Sequence, residues 1–214
     1  MAKSERRLFL KGLSAATAGG LTAWMHHALA ADPNAFRQGM RRVVGEVAVN
    51  GAPVREGAVI KRGDVVTTGA GAHAVYVFGD NAFLQREMSR VDFGETSVAT
   101  FLRVVSGGLL SVFGKGQRQL STTVATIGIR GTGCYIETDE RKTYFCLCFG
   151  SVDLRPLNGA MTSYSTAHHE KPLWVEEGRT MPATVVNHTD AEVIMLEALV
   201  GRRSPFPAGM KGMY

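Results

Sequence analysis

The three cysteines of this 214-residue chain all lie between residues 129 and 153. Cys134 follows the run Ile-Arg-Gly-Thr-Gly, and Cys146 and Cys148 lie in an apolar run after a charged turn. Thiolates bind soft metals, form disulfides or act as nucleophiles. Their concentration in one short stretch therefore predicts a chemical site or a covalent link on a β scaffold.

Strand geometry decides which sulfur atoms can meet. Alternate residues of a strand face the same side, so Cys146 and Cys148 project together with Tyr144. The opposite layer receives Phe145, Leu147 and Phe149. An odd hairpin loop, for example Glu140-Arg141-Lys142, places Cys134 across from Cys148, whereas an even loop turns Cys134 toward Leu147. The sequence leaves this register open.

In the odd register the three sulfur atoms gather in one patch, because opposite β-carbons lie about 4.5–5.5 Å apart. A fourth ligand can come from His168 or His169, of which a regular strand presents one and a loop both. Thiolate and imidazole ligands favour zinc or another thiophilic metal. We therefore expect a metal site formed by Cys134, Cys146, Cys148, His168 and His169, although the cysteine spacing is not that of zinc ribbons.

Two other uses of the cysteines remain open at this stage. A disulfide from Cys134 to Cys148 or Cys146, with one buried free thiol, suits an oxidising compartment. A nucleophilic cysteine needs a base, which His168 or His169 can supply, and an orienting carboxylate such as Glu170 or Asp153. No Gly-x-Ser-x-Gly motif and no distinctive carboxylate pair occurs in the sequence, so we expect no catalytic residues.

The glycines of the run Arg130-Gly131-Thr132-Gly133 predict a bend or a close backbone approach. A phosphate cradle is the alternative, but the spacing matches neither the dinucleotide nor the P-loop pattern. Arg130 itself is expected to donate to carbonyls or to a carboxylate as a structural group.

The elements that carry these residues are predicted to be strands, which makes the fold all-β: a twisted roll, solenoid-like stack or sandwich. Only Asn34–Arg41 and part of Glu95–Phe101 could be helical. The predicted strands are Val43–Val49, Ala72–Phe78, Ala82–Leu84, Leu102–Val105, Leu109–Phe113, Val124–Ile129, Tyr135–Thr138, Tyr144–Leu154, Leu173–Val175, Thr184–Asn187 and Val193–Leu196.

The amino terminus has the pattern of an export signal. Residues 4–11 contain adjacent arginines, residues 12–25 are weakly apolar, and Ala28-Leu29-Ala30 offers a cleavage site. A spanning helix needs about 20 predominantly apolar residues, so we expect no permanent membrane anchor. We expect residues 1–30 to be a twin-arginine signal peptide and the mature protein to be periplasmic.

The predicted leader also explains most of the basic charge. Residues 1–30 carry four cations and one anion, which is +3 of the formal net charge of +5, and leave +2 for residues 31–214. No basic stripe interleaved with aromatic residues remains. We therefore expect no nucleic-acid partner.

Several segments together resemble a FecR-type domain. They occur in the order seen in that family, and they are Gly45–Gly51, Gly63–Gly69, Ala74–Phe78, Gly107–Val112, Thr126–Gly133 and Gly150–Leu154. The resemblance covers about half of the chain and implies a periplasmic domain of short strands. Well-known members relay a signal from an outer-membrane receptor to a cytoplasmic sigma factor.

Such a relay needs a cytoplasmic segment and a spanning helix, which the sequence pattern does not favour here, so sigma-factor control is not expected. The predicted organisation is a leader (1–30), a FecR-like domain (43–154), additional strands packed on it (155–200) and a tail (201–214). We expect a non-catalytic envelope protein that binds a ligand or metal, senses, or assists assembly. The alternative is a structural or partner-binding β module whose cysteines form a disulfide. Its partner would be an unidentified periplasmic or envelope protein.

Overall fold

The computed structural model describes residues 23–24, 38–94, 101–203 and 205–206. Its strands are β1 (Gly39–Val44), β2 (Val47–Val49), β3 (Ala52–Pro53), β4 (Val65–Thr68), β5 (His73–Phe78), β6 (Asn81–Gln85), β7 (Arg90–Phe93), β8 (Leu102–Val112), β9 (Gln117–Ser121), β10 (Ala125–Thr138), β11 (Lys142–Pro156), β12 (Thr162–Thr166), β13 (Leu173–Glu176) and β14 (Arg179–Pro182). One helix, α1 (Asp190–Leu199), follows them. Within these ranges, no helix has the length and apolar character that a membrane span requires.

All fourteen strands belong to one branched, mixed sheet that does not close. The long strands β8, β10 and β11 each change neighbours along their length. β10, for example, pairs with β9 through residues 126–130 and with β8 through residues 133–138. The sheet therefore folds over itself as a sandwich-like roll, which confirms the predicted all-β class.

Two apolar clusters divide the faces of this sheet. The inner core lies between the folded layers and includes Tyr76, Phe83, Phe145 and Leu147. The outer core lies on the other face of β5, β6, β8, β10 and β11, and α1 covers it. Alternation produces this division: Ala74 and Tyr76 of β5 enter the inner core, while Val75 and Val77 enter the outer core.

The segment after residue 182 differs from the prediction. Val193–Leu196 was predicted to be a strand but lies in α1, and Thr184–Asn187 forms no strand. The helix begins because the Thr189 hydroxyl accepts the Glu192 backbone N–H while the Glu192 carboxylate accepts the Thr189 N–H, a complete capping box. This local signal outweighs the β-branched pair at residues 193 and 194.

The predicted helices, leader and tail lie partly within the described residues. Gly39–Val44 is a strand, so the carboxyl end of the predicted helix Asn34–Arg41 is wrong. Residues 34–37 and 95–100 lie outside the described residues, as does most of the predicted leader. Trp24, from that leader, packs against the outer core, and so does Phe206 of the predicted tail.

The glycine signature bends β10 where its partner changes. Gly131 has a φ of +54°, a conformation that costs glycine little. A side-chain carbon at Gly133 would lie 2.9 Å from Cδ1 of the Phe149 ring and closer still to Cε1. The pairing register of β10 and β11 shifts on both sides of Gly133, and Phe149 turns toward the outer core instead of the predicted inner layer. Arg130 donates to a carboxylate oxygen of Asp153 at 3.4 Å on the exposed surface.

Candidate metal centre

Strand β11 supplies two sulfur atoms on one face. Cys146 and Cys148 have no exposed surface and lie in the outer core with Tyr144, while Phe145 and Leu147 lie in the inner core. This is the alternation that the sequence predicts. The two thiols therefore point toward the layer that α1 and the loops around it form.

Cys134 does not join them, which corrects the predicted three-sulfur patch. It pairs with Leu147 and packs in the inner core. The cause is the hairpin register: Thr138 pairs with Thr143, so an even number of residues lies between the paired positions. Because Cys134 faces away from Cys146 and Cys148, a disulfide to either of them is excluded as well, and all three cysteines are free.

His169 reaches the two thiols from the loop after β12. Its backbone N–H donates to the carbonyl oxygen of Cys148 at 3.1 Å, and its φ is +49°. This anchored turn places Nδ1 3.4 Å from Cys146 Sγ, with the residue 4% exposed. His169 is therefore the one of the two predicted histidines that meets the cysteines.

His188, which the sequence analysis did not select, completes the group. It precedes Thr189, the N-cap of α1, and its ring stacks on Tyr135 with centroids 4.8 Å apart. Its Nε2 lies 3.1 Å from His169 Nδ1. The capping box was the available sequence signal, because it locates a helix start and so places His188 on the loop that enters the helix.

Strand side chains hold the His188 loop in place. The Tyr144 hydroxyl donates to the carbonyl of Thr184 at 3.0 Å and accepts the N–H of Val186 at 3.3 Å. Arg86 donates to the carbonyl of Asn187 at 2.7 Å and pairs with Glu192 at 2.9 Å. The position of the His188 ring is thus fixed by contacts with the sheet as well as with the helix.

The outer nitrogens of both rings are already engaged, and this assigns their protons. His188 Nδ1 lies 2.7 Å from the carbonyl oxygen of Val186, which can only accept, so Nδ1 carries a hydrogen. His169 Nε2 lies 3.1 Å from the Asp190 carboxylate, which also accepts, so Nε2 carries a hydrogen. The inner nitrogens, His188 Nε2 and His169 Nδ1, consequently face each other beside the two cysteines.

These four donor atoms could hold a metal ion, and two of their separations match those of a tetrahedral zinc site. The ligand atoms of Cys146, Cys148, His169 and His188 all lie within 4.8 Å of one another. Zn–S bonds of about 2.3 Å and Zn–N bonds of about 2.05 Å give tetrahedral S···N and N···N edges of about 3.6 and 3.3 Å. The observed edges from His169 Nδ1 to Cys146 Sγ and to His188 Nε2 are 3.4 and 3.1 Å.

The electrostatics of the cluster separate the two cysteines. The hydrogen bond from the Cys148 side chain, followed by those from His169 and His188, lowers the pKa of Cys146 against the opposing effect of burial. Burial, followed by the interaction with Cys146, raises the pKa of Cys148. A divalent metal binds thiolates, so its binding would release the proton that Cys148 retains.

The other predicted participants lie elsewhere. His168 faces the carboxylate of Asp190, with Nε2 2.9 Å from Oδ2 and 3.1 Å from Oδ1. Asp153 accepts from Ser163, and the exposed Glu170 accepts from the backbone of Ala167. Asp190, which sequence analysis did not select, is the carboxylate that orients His169.

No family model matches the chain, and no curated protein matches it. Two crystal structures described as a "putative anti-sigma factor" from Parabacteroides distasonis ATCC 8503 are similar, with TM-scores of 0.46 and 0.47 and 9% sequence identity. Each comparison covers 56% of this chain and 59% of that chain, so this chain spans little more than half the length of that protein.

Proposed function

We propose that this chain is an exported, non-catalytic β protein that binds one thiophilic metal ion, most simply Zn²⁺, through Cys146, Cys148, His169 and His188. The supporting observation is the facing pair of imidazole nitrogens, His188 Nε2 and His169 Nδ1, beside two buried cysteines. Without a proton or a cation between them, the lone pairs of these nitrogens would repel each other in a buried site.

The outer hydrogen bonds of the two rings add to this support. Histidines that bind metals commonly donate their second N–H to a carboxylate or a backbone carbonyl, which fixes ring orientation and tautomer. His169 does so to Asp190, and His188 does so to Val186. Both rings therefore make the second hydrogen bond that is common in metal-binding histidines.

Zinc is the preferred ion because the donor set consists of two thiolates and two imidazoles and leaves no coordination position open. Two thiolates and two imidazoles form a neutral, four-coordinate zinc complex, and such closed sites stabilise folds. The cluster joins β11 to the loop after β12 and to the entry of α1. A bound ion would therefore fasten the covering layer onto the sheet.

The proposed location is the periplasm, and the proposed role is metal binding or sensing at the cell envelope. The twin-arginine pattern and the resemblance to FecR-type domains support this location. Control of a sigma factor is not part of the proposal, because the metal centre and the export pattern give no support for it.

Metal content of protein purified from the periplasm tests the proposal. We expect one zinc per chain in the wild type and a loss of that zinc in the Cys146→Ser/Cys148→Ser double variant. Cys134→Ala is the matched control, since it removes an equally buried thiol from the opposite face and should keep the metal. Wild-type protein that is folded and free of metal under zinc-replete conditions would refute the centre.

A second candidate function comes from the same atoms. Cys146, His169 and Asp190 form a linked chain of thiol, imidazole and carboxylate, which is the arrangement of a nucleophilic cysteine. Cys146 has no exposed surface, however, and no substrate could reach it without movement of the covering layer. Rapid, selective labelling of Cys146 in the native protein by a thiolate probe would favour this candidate over the metal centre.

A further inference from the structure

We propose that His168, His169 and Asp190 form a second cation site on the solvent side of the Cys2His2 centre, sharing the ring of His169 with it. This inference rests on the proposed function for the inner centre. The expected ligand is a borderline divalent cation such as Zn²⁺ or Co²⁺, because imidazole and carboxylate ligands suit such ions.

The three donor atoms converge as a metal site requires. The imidazole and carboxylate atoms of the three residues lie within 4.8 Å of one another. His168 Nε2 is 2.9 Å from Asp190 Oδ2, and His169 Nε2 is 3.1 Å from Oδ1. Ligands at about 2.0–2.1 Å from a tetrahedral ion are separated by about 3.3 Å, so a small outward shift accommodates the ion.

Exposure distinguishes this site from the inner one. The side chain of His168 is 22% exposed, whereas those of Asp190 and His169 are 6% and 1% exposed. The second site therefore has one side toward solvent. Three protein ligands with an open position is the pattern of zinc sites that accept water or another small ligand.

Charge gives a reason for a cation at this place. Asp190 is 5% exposed, and in the part of the chain that the structure describes its ion-pair partners are the two histidines rather than a lysine or arginine. It is the first residue of α1, where the helix dipole supplies only a partial positive charge. The two thiolates neutralise the dication of the inner centre. A second cation would therefore compensate the buried carboxylate of Asp190.

In the singly loaded protein the Nε2–H groups of His168 and His169 both donate to Asp190. Binding of the second ion at His169 Nε2 releases one proton to solvent and would leave an imidazolate between the two ions. The hydrogen of His168 moves from Nε2 to Nδ1 by exchange with solvent, so the neutral ring binds through its Nε2 lone pair, and Asp190 binds through one oxygen.

Cobalt titration of the full chain, made metal-free under reducing conditions, tests the inference. Only cobalt bound to thiolates gives intense sulfur-to-metal charge-transfer absorption, so the two sites have different signatures. We expect two Co²⁺ per chain by elemental analysis, with the charge-transfer band complete after the first. His168→Ala should bind one Co²⁺ with an unchanged band, because His168 is not a ligand of the inner centre.

His73→Ala is the control, since it removes a partly buried histidine from β5 and should still bind two ions. One Co²⁺ in the wild type with a full band would overturn the second site alone, as would two ions in the His168→Ala variant. Absence of both ions and of the band would refute the inner centre as well. The failures of the two proposals are thus distinguishable.

Discussion

Replacement of His188 by alanine separates its role as a packed side chain from its role as a ligand. Without metal, the variant loses the hydrogen bond to Val186 and the stacking on Tyr135. Each of these interactions contributes about 0.5–1.5 kcal/mol, so the free energy of unfolding should fall by about 1–3 kcal/mol in the presence of chelator.

With zinc present, the cost should be larger. An ion that binds only the folded state at 100 times its Kd adds about 2.7 kcal/mol to the stability of the wild type. A three-ligand variant binds zinc more weakly and should lose most of this increment. The total loss in zinc should therefore be about 4–6 kcal/mol, the sum of the packing cost and the linkage increment.

Urea unfolding followed by tryptophan fluorescence measures both values, once in chelator and once in a buffered zinc solution. His73→Ala serves as the control, and its cost should be the same in both conditions. The reasoning is refuted if His188→Ala costs the same with and without zinc, because the ring would then contribute only packing.

Three further predictions concern the elements around the centre. Thr189→Ala should lower stability by about 1 kcal/mol through loss of the helix cap, measured as a Tm decrease of about 2–4 °C, and an unchanged Tm would contradict the capping role. Gly133→Ala should lower the free energy of unfolding by about 1–3 kcal/mol, because the new methyl group meets the Phe149 ring. Gly128→Ala is the comparison, since Gly128 lies on the same strand and a methyl group there would be 3.6 Å from Asp153, and equal losses would argue against the contact. Chelator should increase the alkylation rate of Cys146 and Cys148 but not of Cys134, as mass spectrometry of labelled peptides would show, and a parallel increase at all three would indicate global opening instead.

Strand alternation was sufficient to predict part of the centre. The two-residue period placed Cys146 and Cys148 on the same face as Tyr144, and it placed Phe145 and Leu147 on the opposite face. These predictions depend only on local backbone geometry. They hold wherever a strand is correctly recognised.

The position of Cys134 could not be predicted, because it depends on how many residues the β10–β11 hairpin leaves unpaired. One residue more or less reverses every side chain of the partner strand. The sequence analysis did not select the fourth ligand, His188, for a different reason. His188 lies 40 residues from Cys148, and only the docking of α1 on the outer core brings them together, a tertiary event with no local signature beyond the Thr189 cap.

The covering layer is too small to hold itself in place by helix propensity. Isolated helices shorter than about 12–15 residues are marginal in water, and α1 has 10 residues. Its cap stabilises the helix start, and its apolar contacts and the Arg86–Glu192 ion pair attach it to the sheet. A metal bound by His188 and β11 would add a link that acts only when both elements are docked. Metal binding and closure of the outer core should therefore occur together, which is the coupling that a sensor of metal availability requires.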